Sequence, residues 1–169
     1  MKKILLMVAL VVSSVTVMAQ KRAIGGRANN GVEFSYQHQM GDANMVEVDA
    51  GLWTIGHETG FSLFGLYDWI MPLNTFEDGT QMNWYAGVGA GLGSWTNTQG
   101  YFNDHRWETY SYVNLCVAGQ IGVEYTFKFP LQLSLDLRPT LGMDLGDENK
   151  AYFDVVRRGA LSVGVRYRF

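Results

Sequence analysis

From residue 31 to the carboxyl end of this 169-residue chain, apolar side chains recur at every second position. That is the period of a β-strand whose two faces meet unlike surroundings. One face begins Val32, Phe34, Tyr36, His38, Met40 and continues Val46, Val48, Ala50, Leu52, Thr54. It runs on through Phe61 to Met71, Trp84 to Leu92, Val113 to Phe127, Leu131 to Met143 and Leu161 to Phe169 without one Asp, Glu, Lys or Arg. The positions between carry Glu33, Glu47, Asp49, Asp68, Glu124, Asp136, Arg138, Arg166 and Arg168. Eight strands are predicted, at about 22–28, 31–40, 45–55, 61–72, 82–96, 112–127, 131–144 and 154–169, separated by turn-rich pieces such as Asn29-Asn30-Gly31 and Gly41-Asp42-Ala43-Asn44. Successive strands joined by turns form an antiparallel up-and-down meander, and an even number of them closes without an edge. The expected fold is all-β, an eight-stranded barrel.

Alternation alone does not say which face points out. A water-soluble barrel would turn the apolar face inward. Volume decides against it, because eight strands enclose a bore just wide enough for side chains. The face crowded with small residues fits inside; the face bearing ten aromatics does not. Gly87, Gly89, Gly91 and Gly93 form a bare stripe on the fifth strand, which inside the barrel leaves room for Phe64, Leu66 and the arginines. Lipid then covers the apolar face and charges of both signs pair in the lumen, giving a transmembrane β-barrel.

The amino terminus supports the same destination. Lys2 and Lys3 precede an apolar run from Ile4 to Val12, and Val17-Met18-Ala19 is a small-x-small cleavage pattern. This predicts a Sec signal peptide over residues 1–19 and a barrel domain over 20–169. The run is broken by Ser13, Ser14 and Thr16 and is short of the ~20 residues a membrane helix needs. No Cys follows it, so no lipoprotein anchor is expected. Loss of the two lysines takes the formal charge from −3 to −5, which gives no reason to expect nucleic acid. The single Cys116 excludes an internal disulfide and a multi-thiolate metal site.

With the mature amino terminus in the periplasm, Tyr36, Trp69, Trp84, Tyr125, Phe127, Tyr167 and Phe169 all fall near periplasmic strand ends, as an interfacial girdle would. The longest connection, Asn97 to Ser111, then lies outside the cell. The chain closes on Gly164-Val165-Arg166-Tyr167-Arg168-Phe169. With its leader, strand count and alternation, the chain resembles the small eight-stranded outer-membrane barrels of the OmpA/OmpX type, the outer membrane protein beta-barrel domain family. The resemblance implies a Gram-negative outer membrane and contact with its lipid and lipopolysaccharide. It also implies a monomer whose terminal aromatics, Tyr167 and Phe169, are read by the barrel-assembly machinery. Members include structural and adhesion-related proteins, narrow pores and a few lipid-modifying enzymes.

Three regions are candidates for function. The lumen gathers Glu33, Glu47, Asp49, Asp68, Glu124 and Asp136 with Arg27, Arg138, Arg158, Arg166 and Arg168; buried ions are costly unless paired, so these are expected to form a structural ion-pair plug, with a gated narrow ion path as the alternative. The outer loop presents Tyr101, Phe102, His105, Arg106, Trp107 and Tyr110, residue types that anchor interfaces. It either binds a partner or folds onto the rim. For catalysis, His57 with Glu58 and Ser62, or His105 with Ser111, could be drawn as a rim lipid A deacylase or acyltransferase, but no motif is matched. No catalytic residue, cofactor or metal is assigned: Asp144, Asp147, Glu148 and Asn149 lack EF-hand spacing and read as a solvated acidic turn. The expected role is structural or surface-interacting, through the outer loops.

Overall fold

The computed structural model of the protein describes residues 22–55, 58–76, 79–101, 106–145, 150–154 and 160–169. The leader, residues 1–19, lies outside them. Among the described residues ten strands build the wall: β1 (Arg22–Ala28), β2 (Gly31–Met40), β3 (Asn44–Ile55), β4 (Glu58–Thr75), β5 (Gln81–Tyr101), β6 (Arg106–Thr126), β7 (Leu131–Leu137), β8 (Thr140–Leu145), β9 (Lys150–Asp154) and β10 (Leu161–Arg168). All pairings are antiparallel and each of β1 to β6 pairs with its successor. β6 pairs with both β7 and β8, and β10 pairs with β7 and β1, so the cylinder closes. The architecture is a closed antiparallel barrel of eight staves, two of them in two pieces.

The first of these interruptions corrects the expectation of one continuous seventh strand over 131–144. The break falls at Arg138-Pro139, because proline has no N–H to give to a ladder. Its carbonyl still accepts from the Gly119 amide at 3.0 Å and the Arg138 amide donates to the Ala160 carbonyl at 2.6 Å, so both neighbouring strands stay attached. The eighth stave is likewise β9 and β10 rather than a single strand over 154–169; residues 155–159 lie outside the described set. A third correction concerns Asn97 to Ser111. The expected loop is mostly ladder, in register from Thr96↔Ser111 to Tyr101↔Arg106. At the opposite end, Gly41 takes the turn from β2 to β3 with φ of 73°, a left-handed conformation open to glycine at no steric cost.

The faces are sorted inside out. Val163 is 52 % and Val117 60 % exposed, while Asp136 and Arg166 are 2 % and 1 % exposed. Period-two parity therefore holds around the wall, with hydrocarbon side chains outward and charge on the axis. Glycines supply the inner clearance. A Cβ on Gly91 would strike the Phe64 ring, and one on Gly164 would sit 2.9 Å from Nη1 of Arg166. One on Gly122 would lie 2.6 Å from Cζ and Oη of Tyr85 and 2.7 Å from Cβ of Asp136. Gly122→Val is accordingly expected to lower stability by about 1–3 kcal/mol through overpacking. Urea unfolding in lipid vesicles, followed by the gel shift between folded and unfolded bands, measures it.

Aromatics collect at the end that bears both described termini, where Arg22 and Phe169 exchange backbone hydrogen bonds at 3.2 and 2.9 Å. Tyr67 meets Trp69 edge-on at 5.4 Å, Tyr125 meets Phe127 at 4.8 Å, and Phe127 stacks on Phe129 at 5.0 Å. Tyr167 and Phe169 stack at 6.5 Å on the last strand. At the distal end β5 and β6 run to 21 residues each against seven for β1, so the rim is strongly uneven in height.

Candidate functional site: a lumenal ion-pair cluster

Parity puts Arg27, Glu33, Glu47, Asp49, Asp136, Arg138 and Arg166 on the inner face, and the register brings them to neighbouring levels. Arg27 opposes Glu33, Ser35 opposes Asp49, Gln37 opposes Glu47 and Ser162 opposes Asp136. Arg27 is the hub. Its Nη1 lies 3.0 Å from Glu33 and 3.5 Å from Glu47 and also bonds Asp49, while Nη2 donates to Asp136 and Ser162. Arg138 reaches in from the break between β7 and β8. It pairs with Asp49 and, at 3.4 Å, with Glu33, and its Nε donates to Gln120 Oε1 at 3.1 Å. The guanidinium carbon sits 4.6 Å from the centroid of the Phe64 ring, a cation–π contact in a dry place. Arg166 holds Glu47 at 2.9 Å and donates to Ser35 and Ser134 at 2.9 and 2.7 Å.

Neutral donors complete the network, and sequence reasoning did not single them out. Tyr85 donates to Asp136 Oδ2 at 3.1 Å, and Ser162 donates to Asp136 Oδ1 at 2.6 Å. Gln37 and Gln120 donate to Glu47 at 2.7 and 3.3 Å. Their only sequence signal is inward parity beside a charge. Satisfying the remaining lone pairs in this way is what lets a buried ion pair persist.

The other expected members of the plug sit differently. Glu124 is held by the amides of Asn83 at 2.9 Å and Gln132 at 2.5 Å, not by an arginine. Arg168 is half-buried at the terminal end, and the ion pairs among the described residues do not include it. Asp68 is fully buried with neither carboxylate oxygen accepting a hydrogen bond. Arg158 lies outside the described residues, as do Phe102, His105, His57, Asp147, Glu148 and Asn149. Tyr101, Arg106, Trp107 and Tyr110 stand on the backbone of the distal β5–β6 hairpin, with Tyr101 opposite Arg106 and Gly100 opposite Trp107. His38 is at the terminal end, its Nδ1 3.4 Å from Tyr36 Oη. Among the described residues no three His, Cys, Asp or Glu side chains converge as a metal cage would require.

A closed antiparallel cylinder, apolar along the outer face of its described strands and ion-paired within, defines a transmembrane β-barrel. No family model matches the chain, and no curated protein matches it. Among solved structures it is similar to a major outer membrane protein from Thermus thermophilus, with 13% identity over 90% of this chain and 100% of that one and a TM-score of 0.54. The N-terminal beta-barrel domain of Pseudomonas aeruginosa OprF aligns with 14% identity over 89% of this chain and 96% of that chain, with a TM-score of 0.47. At these identities the likeness is one of fold.

Proposed function

We propose that the protein is an integral outer-membrane β-barrel of a Gram-negative bacterium whose role is structural or surface-interacting. The observation that carries this reading is the inside-out wall combined with the overlong β5–β6 hairpin. In this reading the leader directs Sec export and is cut near Ala19. Tyr167 and Phe169 then present the last strand to the barrel-assembly machinery, and the monomer rests in lipid and lipopolysaccharide.

On β5 the outward apolar run ends at Leu92 and on β6 it begins at Val113. Ser94 to Tyr101 therefore continue beyond the apolar belt, roughly 25 Å of additional strand at about 3.3 Å per residue. The base of this extension is fixed: Trp95 stacks on Tyr112 at 4.4 Å and 17°, and its indole N–H reaches Asp144 Oδ1 at 3.4 Å. A paired ribbon carrying Tyr101, Arg106, Trp107 and Tyr110 along its backbone suits contact with another surface better than an unpaired loop would, because less order is lost on binding. With both termini in the periplasm, it projects from the cell.

The test uses Gly100→Cys in a Cys116→Ala background. A membrane-impermeant maleimide is expected to label this variant on intact cells, and the folded band in outer-membrane fractions is expected to migrate differently after heating. Labelling only after lysis, or recovery in the soluble fraction, overturns the reading.

A narrow pore is the second reading. The Arg27, Arg138 and Arg166 guanidiniums and their acids fill the bore, so a planar bilayer bearing the native protein is expected to stay silent. Discrete conductance that changes in Arg138→Ala would replace the structural role with a pore.

A further inference from the structure

Two guanidiniums stand at the terminal end of the seam where β1 meets β10. Arg22 exchanges backbone hydrogen bonds with Phe169, and the next pair along the ladder is Ala23↔Arg168. Among the described residues Arg22 Nε has no hydrogen-bond partner, and neither Arg22 nor Arg168 forms a close ion pair, the Phe169 carboxylate included. The inner acid Glu124 is already held by the amides of Asn83 and Gln132. On one side of the seam the turn over residues 127–130 carries Lys128 and Phe129, both exposed, and the Arg168 amide ties that turn down by donating to the Pro130 carbonyl at 3.1 Å. On the other side the turn from β2 to β3 carries a single acid, Asp42.

Parity sets the directions of the two arginines. Arg168 has the inward parity of Arg166 and ends half-buried at the mouth. Arg22 shares the outer face of β1 with Ile24, with His38 across the ladder on one side and Phe169 on the other. Tyr36 stacks with His38 and Tyr167 with Phe169, each pair at 6.5 Å, so the outward cation is rooted between two pairs of rings. A long cationic side chain in such a place lays its stem on the apolar wall and sends its head to the polar layer that the rings mark. The counter-charge available in that layer is lipid phosphate, which a planar guanidinium meets with two parallel N–H donors. A zwitterionic headgroup brings its own cation to the phosphate; an anionic one does not, so neighbouring positive charges favour the anionic lipid.

We propose that the terminal end of the β1–β10 seam binds the phosphate of an anionic phospholipid on the guanidiniums of Arg22 and Arg168, with Lys128 adding to the local positive potential. The inference rests on the outer-membrane reading, in which this end of the barrel meets the periplasmic leaflet.

Native mass spectrometry of the folded barrel, released from detergent after incubation with phosphatidylglycerol and phosphatidylcholine, tests it. The native protein is expected to retain phosphatidylglycerol roughly tenfold over phosphatidylcholine. Arg22→Gln combined with Arg168→Gln is expected to bring that ratio close to one, while Lys150→Gln, on β9 at the distal end, leaves it unchanged. Equal retention of the two lipids by the native barrel overturns the proposal whether or not the double variant folds. So does a double variant that keeps the preference, or a Lys150→Gln barrel that loses as much, which would make the effect one of net charge. Inorganic phosphate that displaces the lipid at equal concentration would assign the site to free phosphate and overturn the lipid assignment. Surface labelling at Gly100→Cys reports location separately, so a barrel that labels on intact cells yet shows no lipid preference fails here alone.

Discussion

Arg27→Met is expected to destabilise the barrel by about 3–5 kcal/mol, the cost of breaking a buried ion network from one side. The guanidinium is fully buried and joins four carboxylates from three other strands, Glu33, Glu47, Asp49 and Asp136. Methionine fills similar volume, so the loss comes from charge and hydrogen bonds rather than from a cavity. Asp136 keeps Tyr85 and Ser162, but Asp49 loses one of its two arginines. Urea titration in vesicles measures the effect, and the double variant with Asp136→Asn should fall short of the sum of the two singles, because the residues share one network. A loss below about 1 kcal/mol would mean that the cluster is not interlocked.

Val117→Arg is expected to cost about 2–4 kcal/mol, or to prevent insertion, because the side chain stands near mid-depth on the outer face. Val117 is flanked across the ladder by Ala90 and Leu141 and lies within the outward run from Val113 to Val123. Were this face wetted, an arginine there would change stability by no more than about 0.5 kcal/mol. The same unfolding assay therefore separates a lipid-facing wall from a solvated one.

Where one face of a strand met lipid and the other met charge, the alternation was written plainly. Val113, Leu115 and Val117 against Asn114, Cys116 and Ala118 needed only the volume of the bore to set their direction. The signal failed where that contrast ends. From Asn97 to Ser111 both faces of the ribbon leave the apolar belt, no binary pattern is imposed, and a paired ladder reads as a loop. It failed again at Pro139, which kept the apolar parity of its stave while breaking the backbone bond that parity implies.

The lumen was legible by residue type and opaque by partnership. Arg27 meets Asp136 across 109 residues of sequence. Which acid a given arginine reaches depends on the stagger of the staves, a global quantity that no local window contains. For that reason Glu124 rests on amides where ion pairs were expected, and among the described residues Arg168 forms no close ion pair and Asp68 has no hydrogen-bond donor.

The first and last strands are zipped to each other from Ala23↔Arg168 to Ala28↔Val163. That seam joins strands far apart in the sequence, so the tube cannot close before both β1 and β10 have been made. The closing contacts span a long loop, which slows unassisted folding and leaves apolar, unzipped staves exposed in the meantime. The cylinder is therefore complete only once β10 has reached β1.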